Sequence, residues 1–437
     1  MAVLKVLIIG GGVAGPALAH WLSRVGANVT LIERSPQMRA SGQQVDLRGQ
    51  GVTMMKKMGI EAAVRAATVH EPGTQLIDTN GRTKAFFAAA PSGTGKQSIT
   101  SEYEIMRGDL VNILYDLTKD RPNVKRLFDT TVDAFTQDDE SDPNGKVHVR
   151  FRDGRQEDFD LVVGADGTRS KTRNVMLGPD APDPRRWLGG YIGYFSVPSQ
   201  PHDSDRFTFC HLPGGRVSRI IGTRKDIPEL TRVYLQMRGE DAAVDAASKS
   251  GNLADLKTAL ADLYQGGGWE CERFTQALRT APEADDLYFT PFVEVQLPKG
   301  SWSRGRVVLV GDAAHSSTAD GYGSTWGLVG SYILAGEIAT LLKKDKSSPT
   351  AAVVQGAKNY EDRFRPIATA SHGRSQSFES AFFPRSSIGI WTLHTFARMA
   401  AYMKLDQMGG LSDTQAKWQV PDYPELERED SEAERTL

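Results

Sequence analysis

Near its N-terminus the chain reads Gly10-Gly11-Gly12-Val13-Ala14-Gly15, and no other segment restricts the available folds as strongly. The apolar run Lys5 to Gly10 before it predicts a buried strand. The segment Val13 to Val25 after it has helical apolar spacing, and Asn28 to Glu33 predicts a second strand. Together these make a βαβ unit. In such a unit Gly10 permits the tight turn, Gly12 lets backbone N–H groups approach a pyrophosphate, and Gly15 lets helix and strand pack closely. Glu33 closes the second strand, where its carboxylate can accept hydrogen bonds from ribose hydroxyls, and Arg34 is counted with it as a cofactor contact. A glycine-rich turn without a ligand is the plainer alternative, and strand, helix and acid together weigh against it. The fingerprint alone does not separate NAD from FAD.

The run Val6 to Leu22 imitates a signal peptide, but its glycines suit a strand, turn and helix start better. With 437 residues, 40% of them hydrophobic, the chain can bury one large core or two modest ones. Lys and Arg total 52 against 54 Asp and Glu, a formal charge of -2 without a basic stripe, so nucleic acid is not an expected partner. Cys210 and Cys271 are far apart and in no metal-ligand spacing, so neither a disulfide framework nor a zinc site is expected, and a reducing, cytosolic location fits. No integral membrane span is expected, because His394 and Arg398 interrupt the apolar stretch Ile388 to Leu405. Oligomeric state stays open.

Further along, Gly51 to Ala67 and Glu104 to Thr118 carry helical spacing, Lys146 to Phe151 alternates like a half-buried strand, and Asp158 to Gly164 reads as a buried one. From Trp187 to Met237 short β-type runs suggest a separate sheet. Asn252 to Tyr264 and Glu272 to Leu278 follow as helices, and Leu287 to Val295 is β-like. Arg306 to Val310 is a buried strand that returns to the first domain, followed by helices over Trp326 to Lys343, Ala351 to Gly373 and Ile388 to Leu405. The charged stretch Pro421 to Leu437 predicts a solvated or loosely docked tail. The expected fold is α/β: a Rossmann-type dinucleotide-binding domain interlocked with a second β-sheet substrate domain and closed by C-terminal helices. Its segments would be 1–180 and 296–375 for the first domain, 181–295 for the second, and 376–437 for the final helix and tail.

Two later segments go beyond the fingerprint. Leu161-Val162-Val163-Gly164-Ala165-Asp166-Gly167-Thr168-Arg169-Ser170 follows a strand and precedes a basic turn with Arg173, and Val308-Leu309-Val310-Gly311-Asp312-Ala313-Ala314-His315 ends a buried strand in Gly-Asp. A strand ending so at the carboxyl edge of a sheet places a carboxylate where α/β folds bind ligands. With these segments nearly the whole chain resembles the class A flavoprotein monooxygenases, the family of p-hydroxybenzoate hydroxylase and the tetracycline-inactivating enzymes. The resemblance implies non-covalent FAD, with Asp166 in one flavin motif, and with Gly311 and Asp312 in another where the aspartate meets the ribityl or ribose region. Gly42 to Arg48 is similar to the family's loop that passes the flavin ring, and Met106 to Leu110 to its arginine segment.

By charge, Arg107 suits a pyrophosphate, while Arg48 would sit near the isoalloxazine ring or the visiting nicotinamide phosphate and is the one candidate catalytic residue. Surface salt bridging is the bland alternative for both. Gly321, Gly323 and Ser324 precede the helix expected from Trp326, so N–H groups and helix dipole there can face the anionic edge of reduced flavin. The resemblance further implies NAD(P)H as a transient reductant, O2, a flavin C4a-hydroperoxide, and a small aromatic, polyketide or alkaloid-like substrate that becomes hydroxylated or otherwise oxygenated.

An oxidase or dehydrogenase on the same scaffold is the alternative, and a flavin-binding escort protein a rival of another class. Two departures stand out: Ser316-Ser317-Thr318-Ala319-Asp320 lacks the family's prolines, and Gly330 replaces an aspartate found in many members. His315 is weighed as structural rather than catalytic. Tyr191, Tyr194, Phe195, Phe207 and Phe209 could line an aromatic pocket, but alternating strand aromatics are more often plain core, and they are not counted as site residues. No hydrolase, zinc-protease or kinase motif occurs, nor a second dinucleotide fingerprint.

Overall fold

A computed structural model describes residues 3–38, 44–69, 71–89, 102–142, 144–317, 321–345, 349–370, 372, 382–404 and 418–427. The glycine-rich unit forms as expected: strand Lys5–Ile9, helix Ala14–Arg24, strand Asn28–Ile32. These belong to a six-stranded sheet whose order is Ser303–Arg304, Val307–Leu309, Leu161–Gly164, Lys5–Ile9, Asn28–Ile32, Val124–Leu127. All pairs are parallel except the edge pair at Ser303–Arg304. Chain order runs outward in opposite directions from Lys5–Ile9, so its carboxyl end is a topological switch point, the usual ligand crevice of such sheets. Continuous apolar runs are what a sheet covered on both faces requires, and Val6, Leu7, Ile8, Leu161, Val162, Val163, Val307, Val308 and Leu309 are all buried.

The second sheet has seven strands in the order Tyr288–Val295, Arg185–Pro198, Leu230–Arg238, Ser218–Ile227, Phe207–Leu212, Gly73–Ile77, Thr83–Ala88. The last two come from the segment expected to stay with the first sheet, so the chain crosses between sheets more often than the sequence reading has it. Helices Ala242–Ser250, Leu253–Tyr264 and Cys271–Thr280 cover one face, burying Tyr191, Phe195, Cys210, Leu235 and Met237 beneath them. The strand period of two puts Tyr194, Phe207 and Phe209 on the other face. A three-stranded sheet of Val132–Gln137, Val147–Phe151 and Gln156–Phe159, and a two-stranded ribbon of Gln44–Asp46 and Glu104–Met106, complete the β-structure among the described residues.

Several boundaries depart from expectation for local reasons. Gly51 to Ala67 is two helices, Gln50–Lys57 and Glu61–Ala66, parted at Gly59, whose φ of 69° is left-handed. Glu104 to Thr118 opens as the ribbon strand and only then becomes the helix Arg107–Asp116. Asp158 to Gly164 divides at Asp160, whose carboxylate accepts the Lys5 N–H at 2.7 Å. The long helix Gly323–Lys344 starts three residues earlier than expected. It is long and apolar enough to cross a membrane, yet 83% of its apolar window is buried inside the molecule. Gly330 on this helix lies against Phe364 and Tyr360, so an aspartate here would have rings where its carboxylate must go.

The charged tail is not loose where it is described. Tyr423 lies across Gly336, where a Cβ would come within 2.2 Å of the ring, and donates its hydroxyl to Glu337 at 2.6 Å, while Leu426 is fully buried. Arg24 and Lys57 bind it from the other side: Arg24 donates to the Leu426 carbonyl at 2.6 Å, and Lys57 pairs with Asp422 and Glu427 at 2.7 Å each. Composition hid two apolar anchors among many charges.

Candidate active site

The carboxyl ends of the parallel strands open into a cavity of about 670 Å³, whose lining includes Gly10, Gly11, Gly12, Glu33, Arg34, Arg107 and Asp166. Gly10 has φ 120°, and a Cβ there would sit 2.4 Å from the Ala165 carbonyl oxygen, so the turn is pressed directly onto the neighbouring strand. Gly15 lies beneath, where a Cβ would come within 2.0 Å of the Gly10 carbonyl oxygen. Gly12 is less crowded than these two, with a guanidinium nitrogen of Arg107 3.4 Å from where its Cβ would be.

Glu33 does more than await a ribose. Its carboxylate accepts the Gly11 N–H at 2.8 Å and the Ser35 N–H at 2.9 Å, so it ties the glycine turn to the end of the second strand. Asp166 lines the cavity and also has local partners: its carboxylate accepts the Thr172 N–H and hydroxyl at 3.0 Å each, and the Ser170 hydroxyl as well. It therefore caps the helix Lys171–Leu177 and shapes the turn, and leaves Gly167, Arg169 and Lys171 to line the cavity beside it. Arg173, buried behind them, donates to the carbonyls of Ala313 at 3.0 Å and Thr168 at 2.8 Å and so locks the two later motifs together.

Gly311, at φ 59°, lies against Ala14, and Asp312 follows it into the site. Burial raises the Asp312 carboxyl above its ordinary range, opposed by Arg107 and by the Thr168 hydroxyl, which donates to it at 3.5 Å. A desolvated carboxylate in this position gains from sugar hydroxyl donors. Gly323 borders Asp312, with a Cβ at 3.6 Å from its oxygen, and Gly323 and Ser324 fall in the first turn of the long helix, whose N–H groups have no intrahelical acceptor. Gly321, at φ 71°, makes the bend before it. Of the loop 316–320 only Ser316 and Ser317 are described, and Gly42 and Gln43 also lie outside the described residues. His315 is buried against Trp302 and Phe364 and pushed down to about 3 by burial, first, and by His372, which agrees with a structural role.

Arg48 does not line the cavity. It pairs with Asp46 at 2.9 Å, and its turn abuts the start of the long helix, where a Cβ on Gly51 would meet the Thr325 hydroxyl at 2.6 Å. Around it lies a cluster that sequence reasoning missed. Asp46 and Glu104 are direct cross-strand partners on the ribbon, a placement of like charges that needs compensation. Arg224, fully buried on the second sheet, supplies it at 3.4 Å from Glu71 and 3.9 Å from Glu104. Glu71 and Glu104 thus gather around one guanidinium, and two buried carboxyls facing a single cation disfavour a second negative charge. Burial, then Asp46 and Glu71, push Glu104 up to about 9; burial likewise pushes Glu71 up to about 7 and raises Asp46. Gln44 donates to Glu104, and the Tyr234 hydroxyl donates to Gln44, which carries the network onto the open face of the second sheet. There Tyr234 meets Tyr194 and Phe207 edge-on at 5.2 and 5.0 Å.

Thr130 and Thr131, which line the cavity after strand Val124–Leu127, were also missed; the left-handed Asp129 before them, φ 49°, marks the turn. Among the described residues no cluster suits a metal ion.

A glycine cradle, an arginine beside it, a ribose-competent acid and a second carboxylate at a helix N-terminus fit FAD and define a flavin-binding α/β enzyme. Residues 3–186 match the FAD binding domain family. Over 97% of its length the chain is 45% identical to the flavin-dependent monooxygenase eupH of Phoma sp, covering 98% of that protein. The structure superposes on tetracycline destructase Tet(51) with a TM-score of 0.73 and 27% identity, covering 96% of this chain and 100% of that one. It also shares its fold, at 18% identity and a TM-score of 0.66 over 94% of this chain and 96% of the other, with Klebsiella pneumoniae HpxO, whose structure holds FAD and uric acid. The chain belongs to the class A FAD-dependent monooxygenases.

Proposed function

We propose that this monooxygenase takes its electrons from NAD(P)H and oxygenates a small aromatic, polyketide or alkaloid-like molecule held between the ribbon and the second sheet. The observation that carries the substrate side is the aromatic face of that sheet, where Tyr194, Phe207, Phe209 and Tyr234 pack edge to face beside the polar ribbon. Flat, partly polar molecules are what such a surface accepts. The relative named for destroying tetracycline supports the same class of substrate.

Bound FAD supplies the two-electron and O2 chemistry, in which one oxygen atom goes to the substrate and the other leaves as water. The chain's own residues divide the remaining work. Gly12 and Arg107 would hold the pyrophosphate, Glu33 and Asp312 would accept from sugar hydroxyls, and the first turn of the long helix would stabilise negative charge on a reduced flavin. Arg48, fixed by Asp46, would present its cation to the flavin or the visiting nicotinamide, and the Tyr234–Gln44 hydrogen bond would orient polar groups toward the substrate.

The test is a visible spectrum of the purified protein taken before and after anaerobic NADPH, then on readmitting air with phenolic polycycles. Bleaching by NADPH and a product heavier by one oxygen are expected. Bleaching followed only by hydrogen peroxide would favour an oxidase, and flavin that NADPH leaves oxidised would sink the reductant assignment.

A further inference from the structure

Seven of the twelve large apolar side chains that stand exposed among the described residues lie between Phe382 and Met403. They concentrate on the helix Ser387–Tyr402. At about 100° per residue, Ile388, Trp391, Met399 and Tyr402 form one stripe, with Phe396 and Met403 along its flank. Ala397 and Ala401 point the opposite way, where with Ala400 they pack on Leu76, Ala85 and Phe87 of the second sheet. The small residues therefore seat the helix and the large ones face outward. Ile388 is 78% exposed, Trp391 68% and Tyr402 89%, values far from those of a core helix.

Charge around this face has one sign. Arg385 precedes the helix, Arg398 borders the stripe and Lys404 follows the last turn, all exposed, and no Asp or Glu occurs from residue 382 to 404. A chain whose formal charge is -2 thus presents, over the described residues 382–404, an apolar face whose own charged side chains are all cations. A second copy of the same face would set Arg398 against Arg398 chemistry, so self-association is disfavoured. A surface with an apolar interior and anionic headgroups matches both features. Trp and Tyr bodies sit at headgroup depth, and long Arg and Lys stems reach outward to phosphate.

We propose that the helix Ser387–Tyr402 is a docking face for an anionic phospholipid membrane, on which the protein lies without crossing. The face belongs to an element seated on the second sheet, so docking brings that sheet toward the lipid.

The FAD-loaded protein is floated with vesicles of phosphatidylcholine alone and of equimolar phosphatidylcholine and phosphatidylserine. It is expected to float with the mixed vesicles, to be released by high salt, and to lose iodide quenching of Trp391 when bound. Trp391→Ser with Tyr402→Ser weakens binding by at least about tenfold, and Arg398→Gln with Lys404→Gln reduces binding to the phosphatidylcholine level. Each variant keeps its flavin spectrum, because these side chains face away from the core. Protein that stays soluble with both vesicle types overturns the proposal. So does equal binding to both, and so does a dimer in which Trp391 is shielded without lipid.

Discussion

At the residue scale, Gly15 and Glu104 show two ways in which one position decides the site. A methyl group on Gly15 would press on the Gly10 carbonyl oxygen at 2.0 Å, a backbone contact that cannot rotate away. Gly15→Ala is expected to cost roughly 1–3 kcal/mol and to shed FAD, seen as a lower thermal midpoint and a colourless elution peak. Glu104 is held protonated by burial, Asp46 and Glu71, at about 9, well above a carboxyl in the unfolded chain. The folded state therefore binds the extra proton across the window between the ordinary carboxyl range and about pH 9, and stability falls as pH rises through it. Glu104→Gln keeps the acceptor for Gln44 and cannot titrate, so its thermal midpoint should decline less between neutral and alkaline pH than the parent's. Equal slopes would show that Glu104 is already ionised at neutral pH.

At the scale of elements, the tail and the long helix form one unit. Removing the Tyr423 ring opens the space over Gly336 and leaves Glu337 with Arg363 and Asn359 but without the hydroxyl, so Tyr423→Ala is expected to destabilise by about 3–5 kcal/mol, read from the denaturant midpoint. Tyr423→Phe should fall between it and the parent, since only the hydroxyl donated to Glu337 is lost. The same elements show what could be read in the sequence. The glycine turn, the parallel strands and the Gly311-Asp312 corner rest on local period and spacing, so they were legible. The strand Glu104–Met106 was not, because its Ile105 continues the apolar rhythm of the helix that follows. Nor was the Arg224 cluster: Glu71 and Arg224 are 153 positions apart and meet only because a ribbon packs on a distant sheet. Asp166 was legible as a motif residue but not as a helix cap, since its partners Ser170 and Thr172 carry no signal of direction.

On the whole-molecule scale, the chain passes between its two large sheets repeatedly: Gly73–Ile77 and Thr83–Ala88 join the second before Val124–Leu127 and Leu161–Gly164 return to the first. Neither sheet is a contiguous stretch, so neither can unfold alone without tearing strands from the other. Denaturation of the FAD-loaded protein should follow one transition, with circular dichroism and flavin fluorescence superimposed, and added FAD should move that midpoint upward. Two separated transitions would show that the sheets are independent. The glycine turn adds a constraint on redesign. The acid proposed to meet the ribose is also the clasp on Gly11, at 2.8 Å. Exchanging Glu33 to alter nucleotide preference would therefore unfasten the loop that receives the phosphates, and any such redesign has to supply a second clasp before it can change the lock.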